Sequence, residues 1–211
     1  METIVYTKSF DAPKVDRNEI LRYARVGKAS DVADALLSDC LRDAEACFSY
    51  KTVYAEFPVK IDGDAVSLGF ASCASASLAR ALSGCKSVVL FTATVGAAID
   101  RLIKRYALLS PSKAQMLHAV GTERVESLCD AFCAFMAEEK AKAGCALRPR
   151  VSPGYGDIPL SLQNEIFVAL DPQKRLGVAL GQSLLMSPSK SVTALIGVFD
   201  STERKEMPHV H

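Results

Sequence analysis

Residues 87–94 read Ser87-Val-Val-Leu-Phe-Thr-Ala-Thr94, a stretch that is apolar at both odd and even positions. Successive side chains of a strand point to opposite faces. A run that is apolar on both belongs in the middle of a sheet covered on both sides. Its flanks offer the cover. Ahead of it, Ser75–Leu82 has the length of a short helix, stopped by Gly84. Behind it, Gly96 leads into a helix from Ala97 to about Leu109. Pro111 separates that helix from the longest one, Ser112 to about Ala143, which Gly144 ends. Roughly thirty helical residues at 1.5 Å each span about 45 Å.

Further out the period changes. Val53, Ala55, Phe57, Val59 and Ile61 alternate with Tyr54, Glu56, Pro58 and Lys60. This predicts a strand with one buried face, and Pro58 points to an edge position. Asp62-Gly63-Asp64 is a hairpin signal, with Ala65–Phe70 as the return strand. Near the N-terminus, Asp16 caps a helix through Ala24 that Gly27 breaks. Ser30 caps a second helix to about Phe48, with Val32, Leu36, Leu37, Cys40, Leu41, Ala44 and Cys47 at helical spacing. Beyond residue 150, Pro159 opens a helix to Leu170, and Asp171-Pro172 stops it. Leu176–Leu180 and Lys190–Phe199 are the last strand candidates. The expectation is one α+β domain over residues 1–200, a mixed or antiparallel sheet with packed helices, followed by a flexible polar tail over 201–211. The long helix should lie on a sheet containing Ser87–Thr94 and Ser191–Phe199.

Composition narrows the function. The chain has 211 residues, with 25 Lys and Arg against 24 Asp and Glu. A net charge of +1 gives no global attraction to a polyanion, so nucleic acid is not an expected partner. The longest charge-free runs, Ala65–Ala79 and Leu176–Ser189, are shorter than the ~20 apolar residues of a membrane span, and Ser and Gly dilute both. Met1–Asp11 has no apolar stretch of the signal-peptide kind. The seven cysteines are an odd number and form no CxxC, which fits reduced thiols and a cytoplasmic location. Two of the three histidines, His209 and His211, lie in the tail, so no zinc site is expected and no metal is assigned.

Two constellations carry candidate chemistry. There is no GxGxxG, P-loop, HExxH or GxSxG, and Val95-Gly96 reads as a tight strand-to-helix turn. The first constellation is the loop Arg148-Pro-Arg-Val-Ser-Pro-Gly-Tyr-Gly-Asp157, which its prolines stiffen. Gly154 permits positive φ and close backbone approach, Arg150 offers a fork for a carboxylate or phosphate, and Tyr155 offers a flat face with a hydroxyl tip. The same composition also describes a structural Pro-Gly turn with solvated arginines. The second constellation is the long helix. Its stripe Leu117, Gly121, Val125, Leu128, Phe132 and Phe135 faces the core. Ala119, Thr122, Glu126, Cys129, Asp130 and Cys133 fall within an arc of about 100° on a different face, where small residues surround a carboxylate. Glu126, Cys129 and Cys133 make an incomplete metal set, and the two cysteines read as ordinary buried thiols.

Arg150-Val-Ser-Pro-Gly-Tyr155 resembles the RxxPGY segment of the reactivation, AdoMet-binding domain of cobalamin-dependent methionine synthase. The helix from Pro159, Lys174-Arg-Leu-Gly177, Gln182-Ser183, Met186-x-Pro188 and Lys190-Ser-Val-Thr-Ala194 follow in the family's order. The wording is most similar to the free-standing members, and the resemblance is clearest over residues 112–199. It implies that the chain binds S-adenosylmethionine and supports reductive methylation of inactive cob(II)alamin on a partner. That partner would be a cobalamin-binding methionine synthase or another corrinoid protein, with a flavodoxin-like electron donor. It implies Arg150 on the AdoMet carboxylate, Glu126 on its α-amino group, Ser152, Gly154 and Tyr155 around the ligand, and Tyr155 facing the corrin as the catalytic side chain. The family's Thr-Glu-Ser is Gly181-Gln182-Ser183 here, and its Pro-Asp-His-Thr-Glu-Lys run after the tyrosine is gone. The alternatives are the same fold serving another corrinoid methyltransferase, and an interaction module without AdoMet binding.

Overall fold

The structure, a computed structural model, describes residues 3–27 and 30–202. The tail expected to be loose, with His209 and His211, lies almost wholly outside the described residues. Strand β1 (Tyr6–Ser9) is followed by helices α1 (Arg17–Tyr23) and α2 (Asp31–Ala44). Next come β2 (Lys51–Pro58), β3 (Lys60–Asp62), β4 (Ala65–Ser67), β5 (Ser72–Ala74) and α3 (Ala76–Ala81). The middle holds β6 (Ser87–Thr94), α4 (Ala98–Leu109), α5 (Pro111–Ala141) and β7 (Cys145–Leu147). The last elements are α6 (Leu162–Leu170), α7 (Pro172–Leu176), β8 (Ala179–Leu180), β9 (Met186–Ser187) and β10 (Ser191–Asp200).

The main sheet has the order β1-β2-β6-β10-β7, and every pair in it is antiparallel. The doubly apolar β6 is its central strand, as its pattern requires. Val89, Phe91 and Ala93 face a layer formed by α1, α2, α4 and α5, where Ile20, Leu37, Ile99, Leu128 and Phe132 are buried. Val88 and Leu90 face the opposite layer with Leu78 of α3 and Ile166 and Leu170 of α6. The register Phe91↔Ala194 and Leu90↔Leu195 carries the same division onto β10. Phe132 of the long helix sits 4.5 Å from Phe91 and 5.2 Å from Tyr54, ring centre to ring centre, and so pins α5 to the sheet.

Caps act where their residue types call for them. Asp16 accepts from the backbone of Asn18 and Glu19, Ser30 from Ala33, and Ser75 from Leu78. The hairpin at Asp62-Gly63-Asp64 joins β3 to β4 with Asp62 opposite Ala65, and Gly63 supplies φ 58°.

Four expectations are corrected. Strand β2 is interior, not an edge, because β1 pairs with Lys51–Tyr54. Pro58 is tolerated because β1 stops short of it, so its missing N–H breaks no ladder bond on that side. The helix expected from Pro159 begins at Leu162, after turns in which Leu162 and Gln163 donate to Pro159 and Leu160. Asp171 does stop it, in the left-handed region at φ 47°, but it also caps a further short helix, α7, by accepting from Lys174. That helix takes Leu176 out of the expected strand, leaving only Ala179–Leu180.

The N-terminal segment is held by a buried ion pair that the sequence reading passed over. Glu123 and Arg124 of α5 are each only 2% exposed. Arg124 donates to Glu123 and to the carbonyl oxygens of Pro13 (2.6 Å) and Lys14 (2.8 Å). Glu123 in turn accepts from the Asp16 N–H (2.9 Å) and the Ser127 hydroxyl (2.8 Å). Each charge is thus desolvated but fully partnered. Removing one side strands the other, so Arg124→Leu is expected to destabilise the chain by about 3–5 kcal/mol in urea unfolding. A loss below about 1 kcal/mol would show that this clasp does not hold the segment.

Candidate functional site

The site forms where β10 meets the loop after β7. The segment following β7 runs antiparallel along the edge of β10. Arg148 donates to Gly197 O (2.9 Å), and Val151 exchanges both backbone bonds with Leu195 (2.9 and 2.8 Å). Pairing passes Pro149 and ends after Val151, where Pro153 has no N–H to continue the ladder and the chain peels away into a turn. In that turn Gly154 donates to Ile158 O (2.9 Å), Tyr155 to Ser152 O (3.3 Å) and Ile158 to Tyr155 O (3.0 Å). Gly154 has φ 89°, and a Cβ there would lie 3.2 Å from Leu160 Cδ1. Gly154 therefore shapes the loop and is not among the residues that line the pocket beside it.

Asp157 anchors the far end of the turn. It accepts from the Ser75 hydroxyl (2.6 Å) and from the backbone N–H groups of Ala76 (2.8 Å) and Ser77 (3.0 Å), at the start of α3. The bonds from Ser75 and Ser77 hold its carboxyl down to about 2.

A pocket of about 570 Å³ opens between this loop, α5, the first turn of α6 and the start of β10. Its walls include Glu126, Arg150, Ser152, Tyr155, Gln163 and Thr193. Arg150 Nη2 donates to Glu126 Oε2 at 2.6 Å and lies 3.4 Å from Asp130 Oδ1. Burial is the largest influence on Arg150 and opposes its charge, but the bond to Glu126 and the negative charge of Glu126 and Asp130 together outweigh it and raise the guanidinium's pKa. Its Nε and Nη1 groups have no partner among the described residues. Tyr155 is 74% exposed at the mouth. Cys129 and Cys133 lie behind the pair, where burial pushes both thiols up against the pull of Arg150. All seven cysteines are free thiols, and no group of three or more metal-binding side chains occurs among the described residues.

Of the expected site residues, Glu126, Arg150, Ser152 and Tyr155 meet at one pocket. The sequence reading missed Gln163, and it missed that Ser191 and Thr193 face the pocket too. It also missed Lys190. This lysine is 7% exposed and threads its stem past Gly121, where a Cβ would sit 3.1 Å from both Lys190 Cγ and Cε. Gly121, expected as a core-stripe residue, is the opening that admits it. Lys190 Nζ contacts His118 Nδ1 (2.9 Å) and donates to Thr122 Oγ1 (3.0 Å). Asp100 is near enough to favour that charge, but it is bonded to Ser189 N and Oγ (2.7 Å each).

These features define a sheet-and-helix domain whose edge carries an amino-acid-sized pair of opposite charges beside a cavity large enough for a nucleoside. No protein-family model and no curated protein sequence matches the chain. Among solved structures it is similar to the crystal structure of the MetH reactivation domain bound to AdoHcy, with a TM-score of 0.62 and 16% identity. The match covers 98% of this chain and 80% of that one. The fold is therefore that of the reactivation domain. No helix among the described residues is long and apolar enough to cross a membrane.

The His118–Lys190 contact generates a pH dependence. Lys190 donates, so His118 Nδ1 must be an unprotonated acceptor. Burial first, and the neighbouring Lys190 second, lower the imidazole pKa. A depressed histidine contributes stability that is present above the ordinary value of about 6.5 and lost as pH falls through the lowered one. Thermal unfolding of wild type should therefore drop more between pH 7 and pH 5 than that of His118→Gln, whose amide oxygen keeps an acceptor. Carboxylates such as Asp157 contribute equally to both proteins. Parallel curves would remove His118 as the source.

Proposed function

We propose that the chain binds S-adenosylmethionine between the Arg150 loop and Glu126. In this reading it serves, in the cytoplasm, as the reactivation component of a cobalamin-dependent methionine synthase. The observation that carries the reading is the Arg150–Glu126 pair at the mouth of the pocket, in a chain with the reactivation-domain fold. An α-amino acid presents a carboxylate and an ammonium two bonds apart, and the pair offers a match for each. Arg150 has unused N–H groups on Nε and Nη1, either of which can donate to the carboxylate without releasing Glu126, and Glu126 has a second oxygen for the ammonium. Glu126, Asp130 and Arg150 sum to one negative charge. AdoMet, with its ammonium, sulfonium and carboxylate, carries one positive charge. A cavity of about 570 Å³ lies within the usual range of roughly 300–1,000 Å³ for small-molecule sites.

Bound AdoMet supplies the methyl group. The corrinoid acceptor belongs to a partner, and an electron would come from a flavodoxin-like donor. This chain's own contribution is to hold the amino-acid end of the ligand and to present the rest at an open surface. Tyr155, Leu160 and Leu185 are exposed on the segments bordering the pocket, an apolar rim fit to be covered by a partner. With the tyrosine side chain outermost, its role is toward the corrin.

A second reading, an interaction module that no longer binds AdoMet, draws on the same ion pair, since Arg150 is already neutralised by Glu126. Titration calorimetry separates the two. Each charge-assisted bond is worth about 1.5–3 kcal/mol, so Arg150→Ala is expected to weaken AdoMet by at least roughly tenfold. Glu126→Gln should weaken it less, because the amide oxygen still accepts. Tyr155→Phe should leave AdoMet affinity nearly unchanged while impairing reactivation of the corrinoid partner. Equal affinities for wild type and Arg150→Ala would take the site away from this loop. Methionine synthase and another corrinoid methyltransferase are told apart by which corrinoid protein the chain reactivates.

A further inference from the structure

Gln163 stands in the first turn of α6, on the wall of the same pocket, and is only 6% exposed. Its carboxamide oxygen is buried and has no hydrogen-bond partner among the described residues. Elsewhere in this wall the Ser191 hydroxyl donates to Thr94 and Arg150 Nη2 to Glu126. A buried amide with an unmade bond is costly, and such a group persists where something outside the chain completes it.

Its position says which part of a ligand that would be. Helix α5, with Glu126, packs on one face of the sheet, whereas α6, with Gln163, packs on the other. The pocket sits at the edge where the two layers meet. A ligand fixed at its amino-acid end by Glu126 and Arg150 extends toward α6 with its other end. A carboxamide presents a donor and an acceptor side by side, and a half-turn exchanges them. That pair matches an adenine edge, where the 6-amino group donates and the adjacent ring nitrogen accepts. We infer that Gln163 is the specificity-determining residue for the nucleobase, reading the 6-amino edge of the adenine. The inference rests on the proposal that this pocket takes AdoMet.

The test is a ligand-by-variant cycle in titration calorimetry. Wild type, Gln163→Leu and Gln163→Met are each titrated with AdoHcy and with the AdoHcy analogue whose purine lacks the 6-amino group. Gln163→Met keeps the side-chain length should leucine disturb the turn. The expected result is a loss of about tenfold or more for AdoHcy on removing the carboxamide, shrinking to a few-fold for the analogue. Equal losses for both ligands, or none for either, would overturn the assignment while leaving the AdoMet pocket intact. No binding of AdoHcy by wild type would overturn the pocket reading itself, and this inference with it.

Discussion

Strand β10 is hydrogen-bonded along both edges, and the shape of the pocket depends on that double pairing. On one side β6 fixes its register over the whole length from Ser191 to Val198. On the other, β7 and the segment through Val151 are laid against it. The loop carrying Arg150 therefore has a fixed starting point. Beyond Val151 it leaves the strand, where Pro153 lacks the N–H to continue the pairing. Asp157 then fixes its other end to the start of α3. A ten-residue segment held at both ends in this way presents Arg150 to α5 without needing a ligand to order it.

What β10 holds on the sheet side, α5 meets from the helix side. His118, Thr122, Glu126 and Asp130 are successive i,i+4 neighbours, so each lies one turn from the next. Two cations from separate segments reach this row. Arg150 meets Glu126 and Asp130, whereas Lys190 meets the neutral His118 and Thr122. The pocket end of the row is thus acidic on balance, and the other end carries a lysine bonded to no carboxylate. Under the proposed function, an amino acid with an additional cationic centre would be drawn to the first end and repelled by the second, which would orient it.

Much of the architecture was legible because it rests on period and on caps. The alternation at Val53, Ala55 and Phe57, the two-faced apolarity of Ser87–Thr94 and the oxygen-bearing caps Asp16, Ser30 and Ser75 are local features with one structural outcome each. What escaped depends on partners distant in sequence. Tyr6–Ser9 is too short and polar to declare itself as a strand and becomes one only by pairing with Lys51–Tyr54. Pro58 signals an edge until the point where β1 ends is known. In the site, Glu126 and Arg150 were legible from their chemistry and from the resemblance of Arg150–Tyr155 to the reactivation domain. Gln163 was not, since a glutamine one residue into a helix looks like any solvated residue until its burial is known. Gly121 likewise reads as a small core residue, and only the fold reveals the Lys190 stem lying against it.

The central claim is that the Arg150–Glu126 pair receives the amino-acid end of AdoMet. A crystal structure of the chain grown with AdoHcy tests it most directly. The account predicts density in the pocket with the α-carboxylate on the Arg150 guanidinium, the α-ammonium on Glu126 and the adenine toward α6. Ligand bound elsewhere on the surface, with the pocket empty and the Arg150–Glu126 bond unchanged, would contradict it.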